Sequence, residues 1–264
     1  GMTIQMAHDA AFPGDIVNIP AGLFEGQVHI TTSNLIFTGA GAGDNPALDT
    51  IILSPVSLPW FYTTSGDNKP IVGLDGVTDV TVQNLRIDGA GQGNTNNRFQ
   101  GVAFWNSSGA LTSVDVVNVK DTPFSGAQHG VGVYAYNNTG GPYTVNLTAV
   151  NVVDFQKGAI AMNGDGLTAN LVNCVTTGVG PTDITAQNGI QFYGGDGGTI
   201  TNCSVTGNIY TGEGWAASGI LLIDAGHVSI TNSNVADGDP CVYNQDTSAT
   251  VDGLVINNNH VDSG

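Results

Sequence analysis

Two stretches of this chain, GIQFYGGDGGTITNCSVTG at 189–207 and GILLIDAGHVSITNSNVAD at 219–237, share one pattern. A glycine opens each, alternating apolar residues follow, and an asparagine sits in the second half. The Asn-centred part recurs as VQNLRID (82–88), LVNCVTT (171–177), ITNCSVT (200–206), ITNSNVA (230–236) and INNNHVD (256–262), with VDVVNVK (114–120) and LTAVNVV (147–153) as variants. The repeated position therefore falls at 84, 116, 149, 173, 202, 232 and 258, a spacing of 24 to 33 residues. Short strands recurring at such a period specify a solenoid, in which each unit buries its apolar face only against its neighbours.

A second register is the glycine-opened strand: GVAFW from 101, GVGVY from 130, GAIAM from 158, GIQFY from 189, GILLI from 219, and CVYNQ from 241 without the glycine. Each coil thus holds a glycine-opened strand, a turn, and a strand that bends at Asn into a third. Three short strands per coil, stacked in parallel about 4.8 Å apart, predict an all-β, single-stranded parallel β-helix running through residues 1–264 as one domain. The asparagines are expected to form an internal amide ladder that satisfies buried turn backbone. Period-two alternation turns Val102/Phe104, Val131/Val133, Ala159/Ala161, Ile190/Phe192 and Ile220/Leu222 inward. Cys174 and Cys203 read as core-filling thiols beside the Asn. Residues 3–12, with Ile4, Ala7 and Ala11 on one face and Pro13-Gly14 after them, predict a short amphipathic helix that covers the open first coil. The opening Gly-Met reads as the start of a trimmed chain, and HVDSG stops where another glycine-opened strand is due, which predicts there either truncation of a longer parent chain with further coils or domains, or a partner.

Charge narrows the partners. Five Lys and Arg against 22 Asp and Glu leave a net charge of −17, which excludes a phosphate-backbone footprint and argues against nucleic acid. Polyanionic sugars would also be repelled unless a cation bridges them. No apolar run approaches the roughly 18 residues of a membrane span.

The segment TIQMAHDAAFPGDIVNIPAGLFEGQVHITTSNLIFTGAGAG (3–43), with the glycine-opened and Asn-centred coils after it, resembles the right-handed β-helix proteins of the pectate-lyase-like superfamily. That resemblance implies right-handed coils, a secreted or cell-surface bacterial protein, and a polysaccharide as partner. It also implies a substrate groove on the glycine-opened sheet, walled by the uneven loops 89–100, 121–129, 154–157, 178–188 and 207–218. The superfamily holds lyases, hydrolases, esterases and epimerases of polysaccharides, alongside adhesins and stalks that do no chemistry, so both classes stay open.

Candidate residues follow from the same registers. The fourth residue after each strand opening places Trp105, Tyr134, Met162 and Tyr193 in an outward column suited to stacking on sugar faces. The residue before each opening places Gln100, His129, Lys157 and Asn188 in a polar column, Gln100 and Asn188 contacting substrate and adjacent His129 and Lys157 lowering each other's proton affinity to supply a general base. Asp121 and Asp154 close the preceding strand on successive coils, and crowded carboxylates give the acid and base of sugar chemistry. KDTPF and VVDF faintly resemble the Asp motifs of pectin methylesterases, with Gln100 matching their oxyanion-stabilising Gln, but the Gly-Arg-Pro-Trp motif of that family is absent. Asp165 and Asp196, in the turns NGDGL and GGDGG, offer oxygen ligands for Ca²⁺.

Overall fold

The computed structural model describes residues 1–245, 254–257 and 260–261, the last two segments by backbone alone. Among them, parallel strands stack into a nine-stranded and a fifteen-stranded sheet, and the one antiparallel pairing is the hairpin Tyr62–Thr63 on Asp67–Asp75. Eight parallel strands of the nine-stranded sheet run in chain order from Val28–Ile30 through Asp67–Asp75, Phe99–Trp105, Val131–Tyr136, Gly158–Asn163, Asn188–Tyr193 and Ser218–Ile223 to Val242–Gln245, and Tyr62–Thr63 is the ninth. The fifteen-stranded sheet carries the two Asn-flanking strands of each coil, so the expected parallel β-helix is the fold.

Pairing shows why glycine recurs. Gly101, Gly132, Ala159, Gly189 and Gly219 face one another on successive rungs. A Cβ at any of the four glycines would lie 2.3–2.7 Å from a valine Cγ1 of its own coil and 2.5–2.7 Å from a carbonyl one rung on. Such contacts leave room for little more than hydrogen. The register therefore starts at Gly132 and Ala159, not at Gly130 and Gly158, because GVGV and GAIA each offer two small residues. Inward pairs are Val102/Phe104, Val133/Ala135, Ile160/Met162, Ile190/Phe192 and Ile220/Leu222, all buried. Val131 and Ala161 leave the inward set.

The asparagine column also differs from expectation. Asn84, Asn173, Asn202 and Asn232 are exposed, with φ between 52° and 56°, and Ser113 and Ala149 take the same corner. Position 116 is thus replaced by 113, and position 258 lies outside the described residues. Asn recurs because its short polar side chain tolerates the left-handed bend between two strands, not because it builds an internal ladder. Several buried amides sit at another corner, where the loops run into the nine-stranded sheet: Asn96, Gln156, Gln187, Asn188 and Asn208. Cys174 and Cys203 are buried in the core, where the hydrogen bond with Cys203 and then burial push the Cys174 thiol up.

The helix spans Ile4–Asp9, shorter than expected, with Thr3 capping its start through the Met6 amide. It closes the sheet edge with side chains. Gln5 accepts from the His29 amide at 2.7 Å and donates to the His29 carbonyl at 3.1 Å, and His8 Nε2 accepts from Thr31 N–H at 3.1 Å. Backbone groups of the first rung are paired this way instead of left as a template for another strand.

Candidate functional site

The outer face of the nine-stranded sheet carries two adjoining clefts that share Gln128. The first, of about 190 Å³, is lined by Asn68, Arg98, Gln100, Gln128, His129 and Tyr134. Loop 121–129 brings His129 there, and Asp121, buried at its start, fixes the ring: Nε2 lies 3.1 Å from Asp121 Oδ1. Ser125 Oγ donates to the other oxygen of Asp121. From the next coil the buried Gln156 accepts from the Asp121 amide at 3.2 Å and donates to the Ser125 carbonyl. His129 Nδ1 is buried and has no partner. An orphaned polar atom on a cleft-lining side chain calls for an explanation, and a ligand reaching it past the exposed Gln128 would supply one.

Around this pair the other polar groups are spoken for. Tyr62 donates to Gln100 Oε1 at 2.9 Å, and Gln100 donates to Asn68 Oδ1 at 3.2 Å, all three side chains being buried. Arg98 donates to the hydroxyls of Thr64 and Ser65 at 2.9 Å each, and among the described residues no carboxylate pairs with it. Asn163 donates to Tyr134 OH at 3.3 Å. Burial raises the phenol of Tyr134 above its usual range and raises that of Tyr62 further. Both are neutral donors at physiological pH.

Aromatic rings run beside the cleft. His29 stacks on Trp60 at 3.9 Å between centroids, Tyr62 on Trp105 at 4.7 Å, Trp105 on Tyr136 at 5.6 Å, and Tyr136 on Tyr134 at 6.1 Å. Trp60 fits because Gly73 lies under it, where a Cβ would meet the indole at 2.1 Å.

The second cleft, of about 340 Å³, lies beyond Gln128 and includes Lys157, Thr185, Tyr210 and Trp215. Lys157 Nζ donates to the Ala186 carbonyl, and burial lowers its proton affinity.

Several expected site residues stand elsewhere. Gln100 shares its column with Asn188 and Ser218, while His129 and Lys157 fall outside it and line separate clefts. The lowered Lys157 follows from burial alone, not from His129. Asp154 is half exposed and pairs with Lys120 at 3.2 Å, away from the buried Asp121, so the expected carboxylate pair is replaced by an Asp–His pair. Met162 points into the core and Tyr134 pairs with Ala103 and Ala161, both consequences of the shifted register, and the column of Trp105 and Tyr193 is completed by Tyr136 and Asn163. Asn188 is buried and spent on the Ser218 amide and Gln191. Trp105 is half-buried within the ring stack, whereas Tyr193 is exposed in the same column.

Asp165 and Asp196 do not form a cation cage. Asp165 is exposed, whereas Asp196 is buried, and neither of its carboxyl oxygens has a hydrogen-bond partner among the described residues. Burial pushes that carboxyl up to about 9. Among the described residues no third His, Cys, Asp or Glu joins them. Unforeseen from sequence are Arg98, Tyr62, Gln156 and Trp215. Arg98, Gln156 and Trp215 carried a partial signal, lying in loops named as walls of the groove, and Arg98 is also one of only two arginines.

The family described as the right handed beta helix region matches residues 100–264. Among solved structures, pectin methylesterase from Yersinia enterocolitica is 11% identical, with 98% of this chain and 90% of that one covered at a TM-score of 0.51. Pectin methylesterase PemA from Erwinia chrysanthemi is 12% identical, with 89% and 73% covered, also at 0.51. At such identities the likeness is one of fold. No curated protein matches the sequence.

Proposed function

The chain belongs to the right-handed β-helix family, and from that premise we propose that it binds a polysaccharide along the outer face of its nine-stranded sheet and acts on it by acid–base chemistry at the His129 cleft. One observation carries this reading: a histidine held by a buried carboxylate, with an unmatched ring nitrogen, lines the same cleft as Arg98 and the Tyr134 phenol. Asp121 fixes the ring's orientation and would stabilise the imidazolium after proton uptake. Tyr134, a neutral phenol at physiological pH, and Arg98 offer hydrogen bonds to oxygens of the sugar. The two structures compared above are pectin-acting enzymes by name, which agrees with a glycan partner. A protein with this role works outside the cell or on its surface, where polysaccharides are. Among the described residues no helix is long and apolar enough to cross a membrane.

A non-catalytic adhesin or stalk segment is the second reading, favoured by rings that stack on one another instead of facing solvent. The discriminating experiment offers neutral and acidic polysaccharides to the protein and measures binding together with new reducing ends, unsaturated ends, released ester groups and epimerised residues. Asp121→Asn and His129→Ala should keep binding and lower turnover by about 10²–10⁴, the usual share of a general acid or base. Turnover unchanged in both variants removes the His129 chemistry, binding without turnover in the wild type selects the adhesin, and no binding at all ends the polysaccharide reading.

A further inference from the structure

Of the side chains in the second cleft, two are set in ways that folding alone does not explain. Trp215 stands 80% exposed on loop 207–218, above every other large apolar side chain described. Lys157 is half-buried, and among the described residues no carboxylate lies within ion-pair distance of it, although the chain holds 22 acidic residues and both Arg86 and Lys120 have found one. Its ammonium donates one hydrogen bond, to the Ala186 carbonyl, which leaves two N–H groups for a guest. An exposed indole forfeits burial of its largest apolar surface, and a half-buried unpaired ammonium is poorly hydrated. The same ligand would remedy both.

We propose that the Lys157–Trp215 cleft is a glycan subsite for a sugar bearing a negatively charged substituent, its ring stacked on Trp215 and its anionic group on the Lys157 ammonium. This rests on the reading that a polysaccharide follows the nine-stranded sheet. Thr185 and Tyr210 add hydroxyls to the lining, and Ile184 adds apolar wall. Asp183 and Glu213 lie on the flanking loops but are exposed and outside that lining, so the net charge of −17 does not set the sign of the cleft. Arg98 precedes the strand Phe99–Trp105 and Lys157 precedes Gly158–Asn163, two rungs further on. Two rungs are about 10 Å, so one chain lying along the axis meets the two cations at different sugars. Gln128, donating to Thr185 Oγ1 at 3.4 Å, spans the ground between them.

The test uses oligosaccharides of a uronic acid polymer and the same material after carboxyl reduction to neutral sugar, with calorimetry and indole fluorescence as readouts. Wild type should prefer the acidic probe and quench or shift indole emission on binding it. Trp215→Ala should weaken binding of that probe about tenfold. Lys157→Met should erase the preference for acid over neutral while Lys157→Arg keeps it, and unchanged melting temperatures would show that folding is intact. Equal affinity of wild type for both probes overturns the anionic assignment. Wild-type affinity in Trp215→Ala, with binding lost when Arg98 or Tyr134 is altered, overturns the subsite and leaves the glycan reading standing. If neither probe binds and no polysaccharide of the wider panel does, both fall together.

Discussion

Between residues 60 and 136 the aromatic side chains above the nine-stranded sheet lie on one another. Trp60, Tyr62, Trp105, Tyr136 and Tyr134 form a continuous run, and the Tyr62 ring is 4% exposed. Beyond residue 158 the same sheet presents Tyr193 and Tyr243, and the loop before one of its strands Trp215, all exposed and, among the described residues, none in a ring contact. Polar groups divide the same way. In the first region the buried Asn68, Asn96 and Gln100 all have partners and His129 Nδ1 is the one unmatched buried side-chain atom among the described residues, while the second holds Asp196, Asn208 and Thr176 with such atoms. One architecture therefore serves two ends: the early rungs spend aromatic surface on stability, and the later rungs leave it available to a ligand. His129 and Gln128 stand at the boundary.

The most severe way to break that comparison is to remove one ring from each region. Tyr62→Ala should cost about 3–5 kcal/mol, the range for deleting a large buried side chain, because it also leaves Gln100 Oε1 without its donor. Trp215→Ala should stay within about 0.5 kcal/mol, as exposed substitutions do. Denaturant unfolding of the two variants decides the matter, and equal losses would mean that loop 207–218 packs Trp215 down.

Asp196 sharpens the contrast through pH. Its carboxyl titrates near 9 in the fold against about 3.9 in an unfolded chain. Between those values the unfolded state has already lost a proton that the native state still holds. The associated stability is fully present below the unfolded value and is lost as pH rises through the folded one. Asp196→Asn removes the ionisation, so the variant should gain on the wild type by on the order of 2 kcal/mol between pH 6 and pH 8. Parallel stability–pH profiles for the two proteins would show that the carboxyl is solvated after all.

The repeat and its parallel stacking were legible because a column of glycines and a column of left-handed corners each demand one residue type at one place per coil. Where a coil offered two small residues, as at Gly130/Gly132 and Gly158/Ala159, spacing alone could not choose. The wrong choice turned Met162 outward and put His129 and Lys157 in one column. His129 and Asp121 were legible as residue types at loop ends. Their pairing was not, since it depends on how loop 121–129 folds back over Gln156. Arg98 and Trp215 belong to loops whose shapes follow no period.

The corner column supplies the smallest effect and the control. Asn84 and Asn202 hold φ of 54° and 55°, on a coil of the early region and a coil of the late one, and both are exposed. A leucine at either place meets its own Cβ against the carbonyl oxygen of the bend, a strain of about 1 kcal/mol that glycine avoids. The contrast between the regions belongs to the groove face, so Asn84→Leu and Asn202→Leu should lose the same stability, and Asn84→Gly and Asn202→Gly close to none. Thermal unfolding of the four variants measures this directly. A larger loss at Asn202 would extend the weakness of the late rungs from the groove to the β-helix itself. A loss in the glycine variants as large as in the leucine variants would restore a role for the amide that the exposed corner does not call for.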